Sequence, residues 1–474
     1  MLKYKKIIAL TGLIAAFGIF LSGCGCKEAA APAVDKITIW GLWDEGEVYD
    51  KVISAYKDEH RNVKQINYRK LACNEPECYD YIREVVQALA AGNGPDIFMI
   101  NNTWVPAQKD KMLPLDSVND ELTKQKKSKI MTLRDYGETF VPIAKKDLVY
   151  KDTDGVEKIY GVPLWNDNLA IYYNRDLFNL AGLAPPPKNW TWHQFEKYVT
   201  NFESYVSRIT NIDEYGGIKI AGAAIGYGEN VDRAPDILAT LMLQMGSPVV
   251  NESFEPTFDS RIASSDNTSF SPGEYALSFY TKFADRGQKA YTCNKEQWQS
   301  VDSFTSGRVG MMINYSHRIG TIQAKAPNLN FGIATLPQIS ENIKKPVNFG
   351  SYWAFVVSKQ ATGQKAIECW NFLKFLTDKG QAEQYAKITG RVSARLDIID
   401  KQKEDPWLGV FADQALYSTS FPQADNARTG KIFRDAINSI VDQRITPAAA
   451  SATASQQMAQ EGYLLMKKLK EEQY

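Results

Sequence analysis

From residue 36 onward, short apolar runs alternate with longer amphipathic stretches, a pattern that predicts strand, helix, strand. Ile37-Thr-Ile-Trp40 reads as a strand, and Val48 to His60 places Val52, Ile53 and Tyr56 in helical spacing. Tyr79 to Ala91 repeats the helical pattern and stops at Gly92. Pro95 to Ile100 follows as an almost uninterrupted apolar strand, the kind covered on both faces. The grammar returns with Ala170–Tyr173 as strand, Thr191 to Phe202 as a helix that Thr191 can cap, and Val309–Ile313 as strand. Strand-helix-strand order implies right-handed parallel crossovers, and its recurrence implies two α/β units. No repeat with a period of about 20 to 50 residues is visible, which argues against a solenoid or propeller.

The 474 residues suffice for two to three structural units. Apolar residues at 44% and charged residues at 23% exclude a disordered, collagenous or coiled-coil chain. Lys plus Arg equals Asp plus Glu at 55 each, so no global field draws the chain to nucleic acid, and no nucleic-acid partner is expected. With three histidines (His60, His193 and His317), histidine-based metal binding is not indicated, and no cofactor or metal is expected.

The first 23 residues read as an export signal: basic Met1 to Lys6, uncharged apolar Ile7 to Leu21, then small Ser22 and Gly23. The apolar run falls short of the roughly 20 residues that span a bilayer comfortably, and no later stretch approaches that length. Leu21-Ser-Gly-Cys24 resembles the bacterial lipobox, which implies acylation at Cys24 and membrane anchoring through that lipid. The alternative is ordinary cleavage after Ala31-Pro32-Ala33, ten residues past the apolar core. Residues 24–35 read as a tether, and the globular body begins near Lys36. Cys73 and Cys78 can close a local disulfide in a chain that has left the reducing cytosol; a metal site is the alternative, but one Cys pair lacks four ligands. Cys369 sits in a helical apolar pattern and reads as core, while Cys26 and Cys293 stay unassigned.

A series of blocks then carries a family resemblance. They are Ile37-Thr-Ile-Trp40-Gly41, Gly92-Asn-Gly-Pro-Asp-Ile-Phe98, Tyr160-Gly-Val-Pro-Leu-Trp165 and Ile171-Tyr-Tyr-Asn-Arg-Asp-Leu-Phe178. Further along come Pro187 to Phe195, Gly307-Arg-Val-Gly-Met-Met-Ile-Asn314, Phe331 to Pro337, and Ala366 to Thr377 leading to Gly390-Arg391. In this order they resemble the extracellular solute-binding lipoproteins of sugar ABC importers, the family of maltose-binding protein. The resemblance implies an α/β, two-lobed periplasmic-binding-protein-like fold with a ligand cleft between the lobes. It also implies a monomeric, extracytoplasmic receptor that captures a carbohydrate and hands it to permease subunits. The lobe division expected is 36–164 plus 351–392 for the first and 165–350 plus 393–474 for the second.

In open α/β sheets ligands lie beyond the carboxyl ends of strands, and aromatics concentrate at those positions here. Trp40 and Trp43 flank the first strand end, Trp104 follows Ile100, Trp165 precedes Asn166-Asp167-Asn168, and Tyr352-Trp353 follow Ser351. Flat rings match the CH face of a sugar, and Asn, Asp and Arg match its hydroxyl rim; filling core is the competing role for any one ring. Trp190, Trp192 and Trp370 fall in or beside helical patterns and read as packing. By resemblance, the ligand positions are Trp43, Asp44, Trp104, Asn166, Asp167 and Tyr315 to His317, with Tyr352 and Trp353 added from the strand-end pattern and Arg318 from its place beside His317. Asn314-Tyr-Ser-His317-Arg318 departs from the family, which carries a tryptophan there, so a stacking platform can be imidazole or guanidinium. Arg318 is expected to pair with an acidic surface residue, or else to bind an anionic group of the solute. A glycan hydrolase would use the same aromatics plus two of Asp44, Glu45, Glu47 and Asp167, but no nucleophile elbow, zinc-protease or P-loop motif accompanies them.

Overall fold

The computed structural model describes residues 31–73, 78–152, 155–206, 218–263, 268–341 and 345–471; the export signal, Cys24 and Cys26 lie outside them. Two sheets organise the chain. The first has spatial order Val63–Lys70, Val34–Gly41, Ile97–Asn101, Trp353–Val357, Gly161–Pro163. Its first three strands are parallel, joined through helices Glu47–Glu59 and Tyr79–Ala90, as the periodicity requires. Trp353–Val357 arrives from far along the sequence and runs antiparallel to Ile97–Asn101. Both strands are buried at every position, which explains their unbroken apolar sequence.

The second sheet has order Phe331–Ala334, Leu169–Asn174, Val309–Tyr315, Ala221–Ala224. The expectation of parallel crossovers fails in part here: Leu169–Asn174 pairs antiparallel with both neighbours. The physical reason is that this strand enters directly from the first sheet rather than through a crossover helix, so the second sheet is mixed. Helix Trp192–Val206 packs on the Ala221–Ala224 strand, its start fixed by reciprocal bonds between Thr191 and Gln194. Trp190, Trp192 and Trp370 are buried, and so is the Cys369 thiol.

Three segments cross between the sheets. Leu164–Asn168 links Gly161–Pro163 to Leu169–Asn174, the stretch before Trp353 returns, and the chain crosses a third time between residues 390 and 425. They are tied by the parallel pair Asn348–Phe349 with Ser418–Thr419 and by single bridges Trp165 to Ser393 and Asn168 to Gly350. Buried amides knit the crossing: Gln414 donates to the Asn168 side chain (3.0 Å) and Leu169 carbonyl (2.9 Å), and Asn348 donates to Leu169 (2.7 Å). After the third crossing, helices Asn426–Gln443 and Pro447–Glu471 pack on the second sheet's helices. Helix Leu396–Gln402, grouped with the second lobe from sequence, instead packs against Leu133–Thr139 and Lys379–Thr389 of the first.

Candidate functional site

Strand direction places the site. Val34–Gly41 and Ile97–Asn101 end, and the antiparallel Trp353–Val357 begins, at one edge of the first sheet; Val309–Tyr315 and Ala221–Ala224 end, and Leu169–Asn174 begins, at the facing edge of the second. Between these edges lies a cleft of about 670 Å³. Its walls differ in chemistry. The first lobe supplies Trp43, Trp353 and Arg391, the crossing supplies Trp165, and the second lobe supplies Asp232, Arg233, Arg318, Glu229, Tyr315 and His317.

The aromatic wall is a packed cluster. Trp353 meets Trp43 edge-on at 5.7 Å, Trp104 at 5.1 Å and Tyr81 at 5.8 Å. Trp43 is 40% exposed and Trp353 7%, whereas Trp104 is 3% exposed and stays behind the wall. The turn carrying Trp43 is held by the Tyr68 hydroxyl, which donates to the Asp44 carbonyl at 2.8 Å. Gly41 makes that approach feasible, since a Cβ there would lie 2.4 Å from the Tyr68 oxygen. The cysteines Cys73 and Cys78, joined by a disulfide with Cα atoms 4.6 Å apart, border the same end of the cleft.

Asp44 is buried and does not reach the cleft. Its carboxylate accepts from the hydroxyls of Tyr49 and Tyr385, both at 2.8 Å, and pairs with Arg391 at 3.0 Å. Arg391 in turn lies over Trp165, its guanidinium carbon 4.4 Å from the ring centroid, and borders the cleft. Asp44 is thus a positioning residue for a guanidinium that sequence reading noted only as part of a family block. Asn166 also stays out of the wall: it is 1% exposed and accepts from Ser418 within the crossing.

Asp167 does line the cleft. Its carboxylate accepts from the backbone of Asn168 (2.9 Å), Ser316 (2.8 Å) and His317 (3.2 Å), and faces His317 Nδ1 at 3.0 Å. A residue of the crossing is therefore bonded to the strand end of the second lobe, and the His317 ring is held against Tyr315, 5.7 Å between centroids and 22° between planes. Arg318 departs from expectation: its partner is no surface acid but Asp232 inside the cleft, at 2.8 Å. Burial raises the Asp232 pKa, but the nearby Arg233 and Arg318 guanidiniums outweigh it and hold the carboxyl down at about 2. Tyr315 donates to Asp236 at 2.9 Å. Tyr352 borders the cleft while remaining 1% exposed, its backbone amide bonded to Asn102.

Sequence reading missed Glu229, Asp232 and Arg233 because Ala221-Gly-Ala-Ala224 is too short and small-sided to announce a strand, although the strand-end rule would then have pointed to them. It also missed Arg434, which reaches the cleft from helix Asn426–Gln443 by tertiary packing alone. The four carboxylates nominated for hydrolysis are not poised as an acid and base. Asp44 is salt-bridged out of the cleft, Glu45 pairs with Lys70, Glu47 is not in the wall, and Asp167 is engaged as above. Among the described residues no group of acids, histidines and cysteines is arranged to hold a metal.

Known proteins share this architecture. The chain is 23% identical over 407 residues to the maltooligosaccharide ABC transporter solute-binding lipoprotein of Streptococcus pneumoniae, covering 83% of this chain and 82% of the relative. It is 24% identical over 357 residues to the mannitol-binding protein of Pseudomonas aeruginosa, covering 68% and 74%. The cyclic alpha-maltosyl-1,6-maltose binding protein of Arthrobacter globiformis superposes with a TM-score of 0.71 over 91% of this chain and 99% of that one, at 16% identity. The bacterial extracellular solute-binding protein model matches residues 51–409, which hold four of the first sheet's five strands, the whole second sheet, the first two crossings and most of the cleft wall. The two-lobed scaffold and its interlobe cleft are accordingly those of a bacterial extracellular solute-binding protein, and the chain belongs to that family.

Proposed function

We propose that this protein is the carbohydrate receptor of an ABC importer, capturing an oligosaccharide or related polyol between its lobes and presenting it to membrane permease subunits. The observation that carries this reading is the opposition of the two walls: tryptophan faces on one lobe, a network of charged hydrogen-bonding groups on the other. A sugar ring has one apolar face and a rim of hydroxyls, and this cleft offers each its complement. Trp43 and Trp353 stack, Arg391 and Trp165 border the ring, and Asp167, His317, Arg318 and Asp232 orient hydroxyls. Contacts from both walls exist together only when the cleft narrows, so the solute selects a closed form. The receptor acts as a monomer outside the cytoplasm, anchored by lipid at Cys24. Family members carry solutes rather than transform them, and the engaged carboxylates fit that role.

A thermal-shift screen of the mature protein over maltotriose, mannobiose, D-mannitol and common monosaccharides tests the reading, because a ligand that binds only the native state raises its Tm by mass action. At least one neutral sugar or polyol should raise Tm, bind reversibly in calorimetry and be recovered intact. A screen with no binder, or a sugar recovered cleaved, overturns it.

A further inference from the structure

A notch of about 40 Å³ opens off the main cleft beneath the start of helix Asn426–Gln443, and it shares Asp232, Arg233, Asn426 and Arg434 with the larger wall. Three polar side chains there have unused capacity. The Arg434 guanidinium has no ion-pair partner among the described residues. Gln423 is 8% exposed, and its side-chain amide likewise has no protein partner. The Asn426 Oδ1 is buried without a donor. An arginine left as a pure donor and an acceptor left without a donor line the same notch, which calls for a group that can both accept and donate. The helix is set by the loop below it, since Gly228 packs so close that a Cβ there would lie 2.9 Å from the Arg434 carbonyl.

The chemistry distinguishes three occupants. A methyl group would leave every one of these polar atoms unpaired. A carboxylate would satisfy Arg434 but would face the Asn426 oxygen, which it cannot give a hydrogen, and the Asp232 and Asp236 carboxylates, whose counter-charge, Arg233, is already engaged with both. A primary alcohol accepts from Arg434 and donates to Asn426, with Gln423 free to take either role, and a volume of about 40 Å³ holds a group of that size. Building on the carbohydrate reading above, we propose that this notch is the specificity-determining subsite that reads a terminal hydroxymethyl group of the solute, with Arg434, Asn426 and Gln423 as its reading residues.

The test uses the mature protein and calorimetric titration with maltotriose, mannobiose and D-mannitol, each beside a counterpart with its terminal –CH₂OH reduced to –CH₃ and one with it oxidised to carboxylate, both equivalent ends being changed in D-mannitol. For the parent that binds, the wild type should prefer the hydroxymethyl form to both counterparts by roughly tenfold or more. Arg434→Met should erase that preference, weakening the hydroxymethyl parent roughly tenfold more than its deoxy counterpart. Asn426→Asp keeps the shape, hands Arg434 a carboxylate and should do the same, which guards against an Arg434→Met variant that fails to fold. Equal losses for parent and deoxy forms, unchanged preference in both variants, or tighter binding of the carboxylate form would overturn the subsite alone. Failure of every neutral parent to bind the wild type would overturn the carbohydrate reading and the subsite with it.

Discussion

Replacing Trp43 and Trp104 by alanine, one at a time, separates binding wall from core within a single aromatic cluster. Trp104 is 3% exposed and braces Trp353 from behind, so its loss opens a cavity and should cost about 3–5 kcal/mol of stability. For a unit of this size that lowers Tm by roughly 6–20 °C. Trp43 keeps 40% of its surface open, and a tryptophan can bury about 150–250 Å², which leaves about 60–100 Å² for a solute. At about 25 cal/mol per Å² this amounts to roughly 1.5–2.5 kcal/mol, or about a tenfold to seventyfold rise in Kd for Trp43→Ala. Its effect on Tm should be about half that of Trp104→Ala or less, because the buried part of the ring is smaller. Thermal melts paired with calorimetry on the sugar that binds supply both readouts. If Trp43→Ala leaves Kd within about twofold and lowers Tm as far as Trp104→Ala does, Trp43 is core and the aromatic wall is not a binding surface.

Asp44→Ala leaves the Arg391 guanidinium without its carboxylate in a largely buried setting, and should lower stability by about 3–5 kcal/mol and weaken solute binding through a misplaced Arg391; melting and titration of the variant check this. Burial raises the pKa of Asp147 to about 6, against the opposing bonds from Ser420 and Asn102. Its folded value exceeds its unfolded one, so its contribution to stability is full below about pH 4 and fades as pH rises through 6, by on the order of 3 kcal/mol. Asp147→Asn should remove that component, and the Tm difference between wild type and variant should shrink or reverse between pH 4 and 7; a difference independent of pH counts against it. Asp232 works oppositely: its depressed pKa of about 2 adds stability above roughly pH 4 that is lost on acidification, and Asp232→Asn should blunt acid unfolding followed by circular dichroism. Cys24→Ala should release or misprocess the protein, and an unmodified N-terminus at Val34 in mass spectrometry of the mature wild type would refute acylation.

Much of the architecture was legible because each central strand is an apolar run and each crossover helix carries its own period and stop. Gly92, at φ +74°, closes its helix where the pattern breaks. Strand direction was less legible. Nothing local in Leu169–Asn174 records that it runs antiparallel to both neighbours, since that is decided by the direct link from the other sheet. At the site, the strand-end rule reached Trp43, Tyr352 and Trp353, and the family resemblance reached Asp167, Tyr315 and His317; all of these line the cleft, as does Arg318. Neither could tell wall from support: Asp44, Trp104 and Asn166 sit one layer back, and the difference is a rotation of side chains that spacing does not encode. Arg391 and Arg434 come from helix-rich segments far along the chain, and their place in the cleft follows only from how the third crossing and the C-terminal helices pack.

The claim that the solute is held by both lobes at once is tested most directly by small-angle scattering of the mature protein, with and without a saturating concentration of the sugar found in the screen. Closure predicts a smaller radius of gyration in the complex, with the shift lost in a variant whose second-lobe wall is disabled, such as Asp232→Ala combined with Arg318→Ala, at the same sugar concentration. Saturation of the wild type, shown by calorimetry on the same sample, with an unchanged radius of gyration would contradict capture by closure.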